Sequence, residues 1–428
     1  LLFSKAFVDY STSGLENPLS YLLVGLFLMV YLGTRRKGTG DKGRGTGEKQ
    51  QQMTRGRLLQ LALLAGLIVL NRMDLLLLIG PALAYAFWQA TSCHSERSEE
   101  SRRSPLRQPG RARQTAKALG LVLLGFAPFI AWEIFSIIYY GFPFPNTAYA
   151  KLNTGIPAAE LFRHGLYYLV NSLRSDRVTL PAIACAVVAA GLSRQGRRIA
   201  LASGILLYLL YTVRIGGDFM SGRYFAVALL ASVAVLGTLD LSGWSAKAGW
   251  STGMLAAIAL GLLSPNPSLL TGGAYGLVGD GLVDAHGIAD ERAWYYIFTG
   301  LLRTNPKWGH RILREAQKVR DSHQTVIVSA DTIGLFGYHV GPDVHIVDVF
   351  ALADPFLARL PMKPNPNWRI GHFERDVPAG YVESLRTGKN DLVDPHLRDL
   401  YGQIALITRG PLFSRQRWAA IWRLNVGG

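Results

Sequence analysis

Cysteine is nearly absent from this chain: Cys93 and Cys185 are the only two in 428 residues. A disulfide needs both partners in one oxidising compartment. Cys93 lies in a polar stretch and Cys185 in an apolar run, so no disulfide is expected. Cys93 and His94 are adjacent, but a zinc site needs about four ligands, so the pair alone does not make one. Charge is scarce too. Only 17% of residues are charged, against about 25% in a typical soluble domain. Acidic residues are the rarer sign, 29 against 45 basic, which leaves a formal net charge of +16. Apolar residues are abundant, at 49%. Dense apolar runs fill the first 263 residues and a mixed composition follows. This pattern implies a membrane α-helical bundle over 1–263 and a small soluble α/β domain over 264–428.

Eight runs read as candidate spans: 19–32, 58–70, 75–88, 118–139, 178–192, 199–213, 224–239 and 249–263. Several are shorter than the roughly 20 residues that a full span needs, so their ends are expected to reach into flanking aromatic and small residues. The run 58–88 is interrupted by "NRMD" at 71–74 and reads as two helices joined by a polar turn.

The basic residues set the expected orientation. The stretches 33–57, 89–117 and 193–198 hold eight, seven and three Lys and Arg, with five acidic residues among them. If the eight segments alternate, these stretches share one side, which the positive-inside rule makes cytoplasmic. The segment 264–428 then lies outside, and its 18 basic and 16 acidic residues nearly cancel. Basicity here reads as topology, with anionic membrane lipids rather than nucleic acid as the partner. The Gly/Lys-rich stretch 33–52 and the Ser/Arg/Glu-rich stretch 92–114 have no apolar period and no means to build a core.

In the tail, 289–304 and 309–322 read as helices. "TVIVSA" at 325–330 and "VHIVDV" at 344–349 read as neighbouring strands, with Asp331 as a helix cap between them.

The charged residues expected at the outer face are the chemical candidates. They are Glu16, Arg72, Asp74, Lys151, Arg214, Asp218 and Arg223. Ionisable groups at membrane ends tend to line cavities or pair. Basic groups there suit a phosphate headgroup, and carboxylates suit a general base or a divalent cation. No cofactor beyond such a cation is implied. An ordinary interfacial ion pair is the plain alternative at each position. In "GGDFMSGR", Gly216 and Gly217 permit unusual backbone angles beside Asp218 and Arg223. In "IIYYGFPFPNTAYAKLNTG", residues 137–155, the tyrosines fit an aromatic belt. Pro143 and Pro145 are expected to stop the helix and hold the chain extended, presenting Asn146, Tyr149 and Lys151. In "RIGHFERD", Arg369, His372, Glu374 and Arg375 crowd around Phe373. They form either a buried network that fixes the loop or a rim that binds an acceptor.

Taken together, the motifs resemble those of the actinobacterial terminal β-(1→2)-arabinofuranosyltransferase family. The matching stretches are 13–16, 72–74, 139–151, 216–224, 346–361 and 369–388. The resemblance implies a GT-C-type bundle in the bacterial cytoplasmic membrane with an extracytoplasmic C-terminal domain. It also implies a polyprenyl-phosphoryl sugar donor and a cell-envelope polysaccharide acceptor. On this reading Asp218, Asp74 and Glu16 are catalytic candidates. Arg223, Lys151, Arg72, Asn146 and Tyr149 are donor-phosphate candidates. Met73 stands where the family has proline. The family's acidic catalytic motif falls before Leu1, so the chain is expected to be N-terminally truncated, binding donor without turnover. The competing classes are a lipid-headgroup-binding scaffold and a transporter. A transporter would show an inverted repeat or mid-membrane polar residues; no repeat is visible, and Glu133 is the one acidic residue inside a run.

Overall fold

The computed structural model describes residues 1–33, 53–92, 111–152, 154–240, 242–271, 282–299, 308–329 and 333–427. Cys93 and His94, the expected cap at Asp331 and most of the two low-complexity stretches lie outside the described residues. The chain forms two compact units. The first comprises Leu1–Trp132, Phe162–Gly217 and Ser221–Thr271. The second comprises Glu133–Leu161, Asp218–Met220 and Gly272–Gly428.

The first unit is helical. The apolar runs appear as the helices Asn17–Leu32, Arg55–Asn71, Leu76–Ser92, Arg111–Gly125, Thr179–Ser193, Gly196–Arg214, Arg223–Leu236 and Trp244–Leu262. Two helices, Met73–Ser92 and Gly196–Arg214, are long and apolar enough to cross a membrane, or up to four if each of two bent pairs is one span. Leu22, Met29, Leu192 and Leu255 are among the large apolar side chains left exposed. Such faces suit lipid, where apolar surface carries no cost. The Gly196–Arg214 helix packs along Leu76–Ser92. Gly204 lies so close to the Leu78 carbonyl that a Cβ would not fit, as small residues allow in membrane helix pairs.

Two expectations are corrected. The run 118–139 is not one straight helix: Arg111–Gly125 and Ala127–Tyr139 meet at a 59° bend. Pro128 lacks the N–H that would continue the ladder, and its ring crowds the preceding turn. The stretch 140–177, which joins the expected spans 118–139 and 178–192, is not a plain connection: it contains the helix Ala158–Ser175. That helix meets Thr179–Ser193 at 106°. Buried Asp176 fixes the corner. It accepts from Ser4 Oγ at 3.1 Å, Ala6 N at 2.9 Å, Val178 N at 2.9 Å and Thr179 Oγ1 at 2.6 Å. The turn at 71–74 is as expected, with Arg55–Asn71 ending before a 3₁₀ turn at Met73–Leu75.

The second unit holds a small parallel sheet of β1 (Val326–Ser329) and β2 (His345–Asp348), with Val326 opposite His345 and Ser329 opposite Asp348. Parallel strands require a crossover, supplied in part by the helix Ile333–Val340. Below the sheet, the rings of Phe356, Tyr381 and Tyr401 pack mutually at 4.7 to 5.5 Å. Residues 137–155 are less extended than expected. The chain turns at Gly141 (φ +80°) and re-enters a helix at Asn146–Leu152 directly after Pro145. Proline is favourable at a helix start, so it stops one helix and begins another.

Candidate functional site

In the first unit, four of the expected charged residues come together. Arg72 follows the Arg55–Asn71 helix in an extended conformation (φ −151°), which turns its side chain back over Asp74. It donates from Nε to Asp74 Oδ1 at 3.1 Å and from Nη2 to Oδ2 at 2.5 Å. Nη2 also reaches the Tyr208 hydroxyl at 2.9 Å, and the guanidinium lies 4.9 Å from the centre of the Tyr224 ring. Glu16 precedes the Asn17–Leu32 helix. Its Oε1 accepts from Arg223 Nη2 at 2.7 Å and faces Arg72 Nη1 at 3.4 Å. Burial pushes the Glu16 carboxyl upward, but the charges of Arg223 and Arg72 outweigh burial and hold it below the ordinary range. Arg72 Nη1 is buried and has no hydrogen-bond partner among the described residues. Sequence reasoning named the four charged residues but missed Tyr208, which sits within the apolar run 199–213.

Asp218 and Lys151 belong to the second unit. Asp218 is buried and accepts the Phe219 N–H at 2.9 Å. Phe219 is held by the Ala289 N–H on its carbonyl at 2.6 Å, and Arg369 lies 5.2 Å from its ring centre. Arg369 Nε donates to the Gly287 carbonyl at 2.7 Å. The His372 ring meets Phe219 edge-on at 4.5 Å and Phe350 at 5.4 Å. Burial, then the Arg369 charge, lowers the His372 pKa; Asp218 and Lys151 also act on it, with opposite signs. Phe219, which follows Asp218, therefore lies against both His372 and Arg369, whereas Lys151 is exposed.

Other candidates are occupied structurally. Asn146 donates to the carbonyls of Ala351 and Leu352 at 2.9 and 3.2 Å. Tyr149 lies under the Arg359 guanidinium, 4.5 Å from its ring centre. Burial lowers the Arg359 pKa to about 10, partly offset by Tyr149. Arg375 is fully buried, and its guanidinium donates to the carbonyls of Leu360, Phe373 and Ala150 at 2.6 to 2.8 Å. Glu374 is exposed and approaches Lys363 at 3.8 Å. Arg214 is exposed. Among the described residues, no three His, Cys, Asp or Glu side chains gather as a cation site.

Comparison with known proteins adds one relationship. Over 85% of its length the chain is 25% identical to the terminal beta-(1->2)-arabinofuranosyltransferase of Mycobacterium tuberculosis, and over 55% it is 29% identical to the enzyme of that name from Corynebacterium glutamicum. The chain resembles the terminal β-(1→2)-arabinofuranosyltransferases. It spans 63% of the mycobacterial arabinofuranosyltransferase and 34% of the corynebacterial one. No protein-family model matches the chain, and no solved structure matches it. Two motifs of the arabinofuranosyltransferase resemblance, 72–74 and 216–224, supply Arg72, Asp74, Arg223 and Tyr224 to the first-unit cluster.

Proposed function

We propose that this protein moves a glycosyl group, arabinofuranosyl by the names of its relatives, from a polyprenyl-phosphate-linked donor to a cell-envelope glycan. The observation that carries this reading is the pair of guanidiniums, Arg72 and Arg223, gathered in a unit of apolar helices. Guanidinium forks match phosphate oxygens, and apolar helices suit a lipid chain. Arg72 keeps a buried donor that an oxyanion would satisfy. The reading places the protein in the bacterial cytoplasmic membrane with eight spans, some short or bent, and with 264–428 outside. The basic stretches at 33–57, 89–117 and 193–198 support that orientation.

Asp218 is the proposed general base: it is a buried carboxylate in the motif 216–224, beside Phe219, against which the His372 ring packs. Lys151 is proposed to meet phosphate. The Arg369–His372 turn is proposed to meet acceptor sugar, with the rings of Phe219 and Phe350 on either side of His372. Arg375 fixes that loop through its three carbonyl bonds.

The test uses the chain in lipid nanodiscs, titrated with decaprenyl-phosphoryl pentose. Arg223→Ala should weaken binding roughly tenfold or more, as expected for loss of a charge-assisted bond of about 1.5–3 kcal/mol. The unfolding temperature should change little. Equal affinity in the variant would overturn the assignment. Labelled pentose passing into an arabinan acceptor would overturn the expectation of binding without turnover, and its loss in Asp218→Asn would put the base at Asp218. Turnover unchanged in that variant would move the base to another carboxylate.

A further inference from the structure

Among the described residues of the first-unit cluster, two guanidiniums face two carboxylates. Arg72 and Arg223 are matched by Glu16 and Asp74. An incoming phosphodiester carries one negative charge. Beside two fixed carboxylates it meets repulsion that offsets what the guanidiniums offer. For this cluster to hold a phosphate, one carboxylate has to yield.

The two carboxylates are not equally held. Asp74 takes two bonds from the Arg72 fork, and the Tyr208 hydroxyl lies 3.3 Å from its Oδ2. Glu16 meets both guanidiniums through one oxygen, Oε1. Its contact with Arg72 Nη1 is 3.4 Å and leaves that buried nitrogen without a hydrogen bond. The side chain of Glu16 is also the most exposed of the four, at 24%, against 16% for Arg223, 14% for Asp74 and 8% for Arg72. It makes no capping bond to the helix that follows. Glu16 therefore sits where an oxyanion would sit, fills that place incompletely, and has a route to solvent.

We propose that Glu16 is a displaceable internal counterion: it occupies the anion position between Arg72 and Arg223 in the free protein and competes with the phosphate group of the ligand. This rests on the headgroup reading above. It assigns Glu16 a gating role in place of the catalytic one expected from sequence. Asp74 is the fixed partner that keeps Arg72 in position. A lipid monophosphate and free phosphate share the chemistry that this site would recognise.

The experiment compares wild type, Glu16→Gln, Glu16→Ala and Arg223→Ala in nanodiscs. The probes are decaprenyl phosphate, decaprenol and inorganic phosphate. Glu16→Gln and Glu16→Ala should bind decaprenyl phosphate about tenfold more tightly than wild type, the effect of removing one adjacent like charge at partial exposure. Decaprenol should bind all four alike. Tightening for inorganic phosphate as well would show that the guanidiniums suffice; tightening for the lipid alone would show that the chain is also read. Both support the proposal. Glu16→Gln should melt lower than wild type without ligand and gain more from saturating decaprenyl phosphate, a readout that a purely structural glutamate would not give. Unchanged or weaker binding in both Glu16 variants, with loss in Arg223→Ala, would overturn the counterion role and leave the headgroup reading standing. No preference for decaprenyl phosphate over decaprenol in any protein would overturn both.

Discussion

Arg375 and Arg417 are fully buried, and both give their guanidiniums to main-chain carbonyls rather than to carboxylates. Arg417 joins the carbonyls of Ile407, Leu412 and Tyr139. Truncating such a residue leaves several acceptors without donors, each costing about 1–3 kcal/mol. Arg375→Met should therefore lower unfolding stability by about 3 kcal/mol or more, read by denaturant titration of the protein in detergent. His372 gives a pH signature. Its folded-state pKa is lowered by burial and then by Arg369, so the unfolded chain binds the proton more readily. The stabilisation is present above an ordinary histidine value of about 6.5 and is lost as pH falls through the lower folded value. His345, lowered by burial and then by Arg409, adds to the same slope. The unfolding midpoint should fall as pH drops below about 6.5, and His372→Gln should flatten part of that fall. Charged residues flanking apolar runs were legible because they stand out against their surroundings. Tyr208 was not, since a tyrosine in an apolar helix reads as packing until Arg72 is seen to need an acceptor. Arg375 was legible as polar and crowded, but its partners, being carbonyls, leave no mark in the sequence.

At the scale of elements, the loop at 216–218 shows what a glycine pair permits. Gly216 and Gly217 have φ of +90° and +73°, and Gly217 sits against the Tyr168 ring with no room for a Cβ. Gly14 has the same φ of +73° with open space around it. Gly14→Ala should cost only the left-handed penalty, about 1–2 kcal/mol. Gly217→Ala should cost clearly more, because the ring must move as well. Melting of the two variants in one detergent separates the terms; equal losses would show that the Tyr168 contact is unimportant. The two strands were legible from short apolar runs between turn signals, and the structure pairs them in parallel. The helix Ala158–Ser175 was not, because it has no uninterrupted apolar run: Glu160, Arg163, His164 and Arg174 are mixed with its apolar residues. The bend near Phe126 was legible in principle from Pro128, yet a proline near a helix start and one that breaks a longer run look alike in sequence.

At the scale of the whole molecule, composition separated an apolar first part from a mixed tail, but it could not show that the second compact unit also draws on Glu133–Leu161 and Asp218–Met220. Such interleaving depends on contacts between distant segments, for which one sequence gives no signal. The proposed orientation predicts that Gly40→Cys and Asn390→Cys, each in a chain lacking Cys93 and Cys185, are labelled from opposite sides of intact cells. Equal accessibility would contradict it. The central claim is that the helical unit recognises the phosphate of a lipid-linked donor. The most direct measurement is photo-crosslinking with a polyprenyl-phosphoryl pentose carrying a diazirine beside the phosphate, followed by peptide mapping. The account predicts label concentrated at 13–20, 71–75 and 221–225, displaced by unlabelled decaprenyl phosphate and not by decaprenol. Label spread evenly along the apolar helices, or displaced equally by decaprenol, would contradict it.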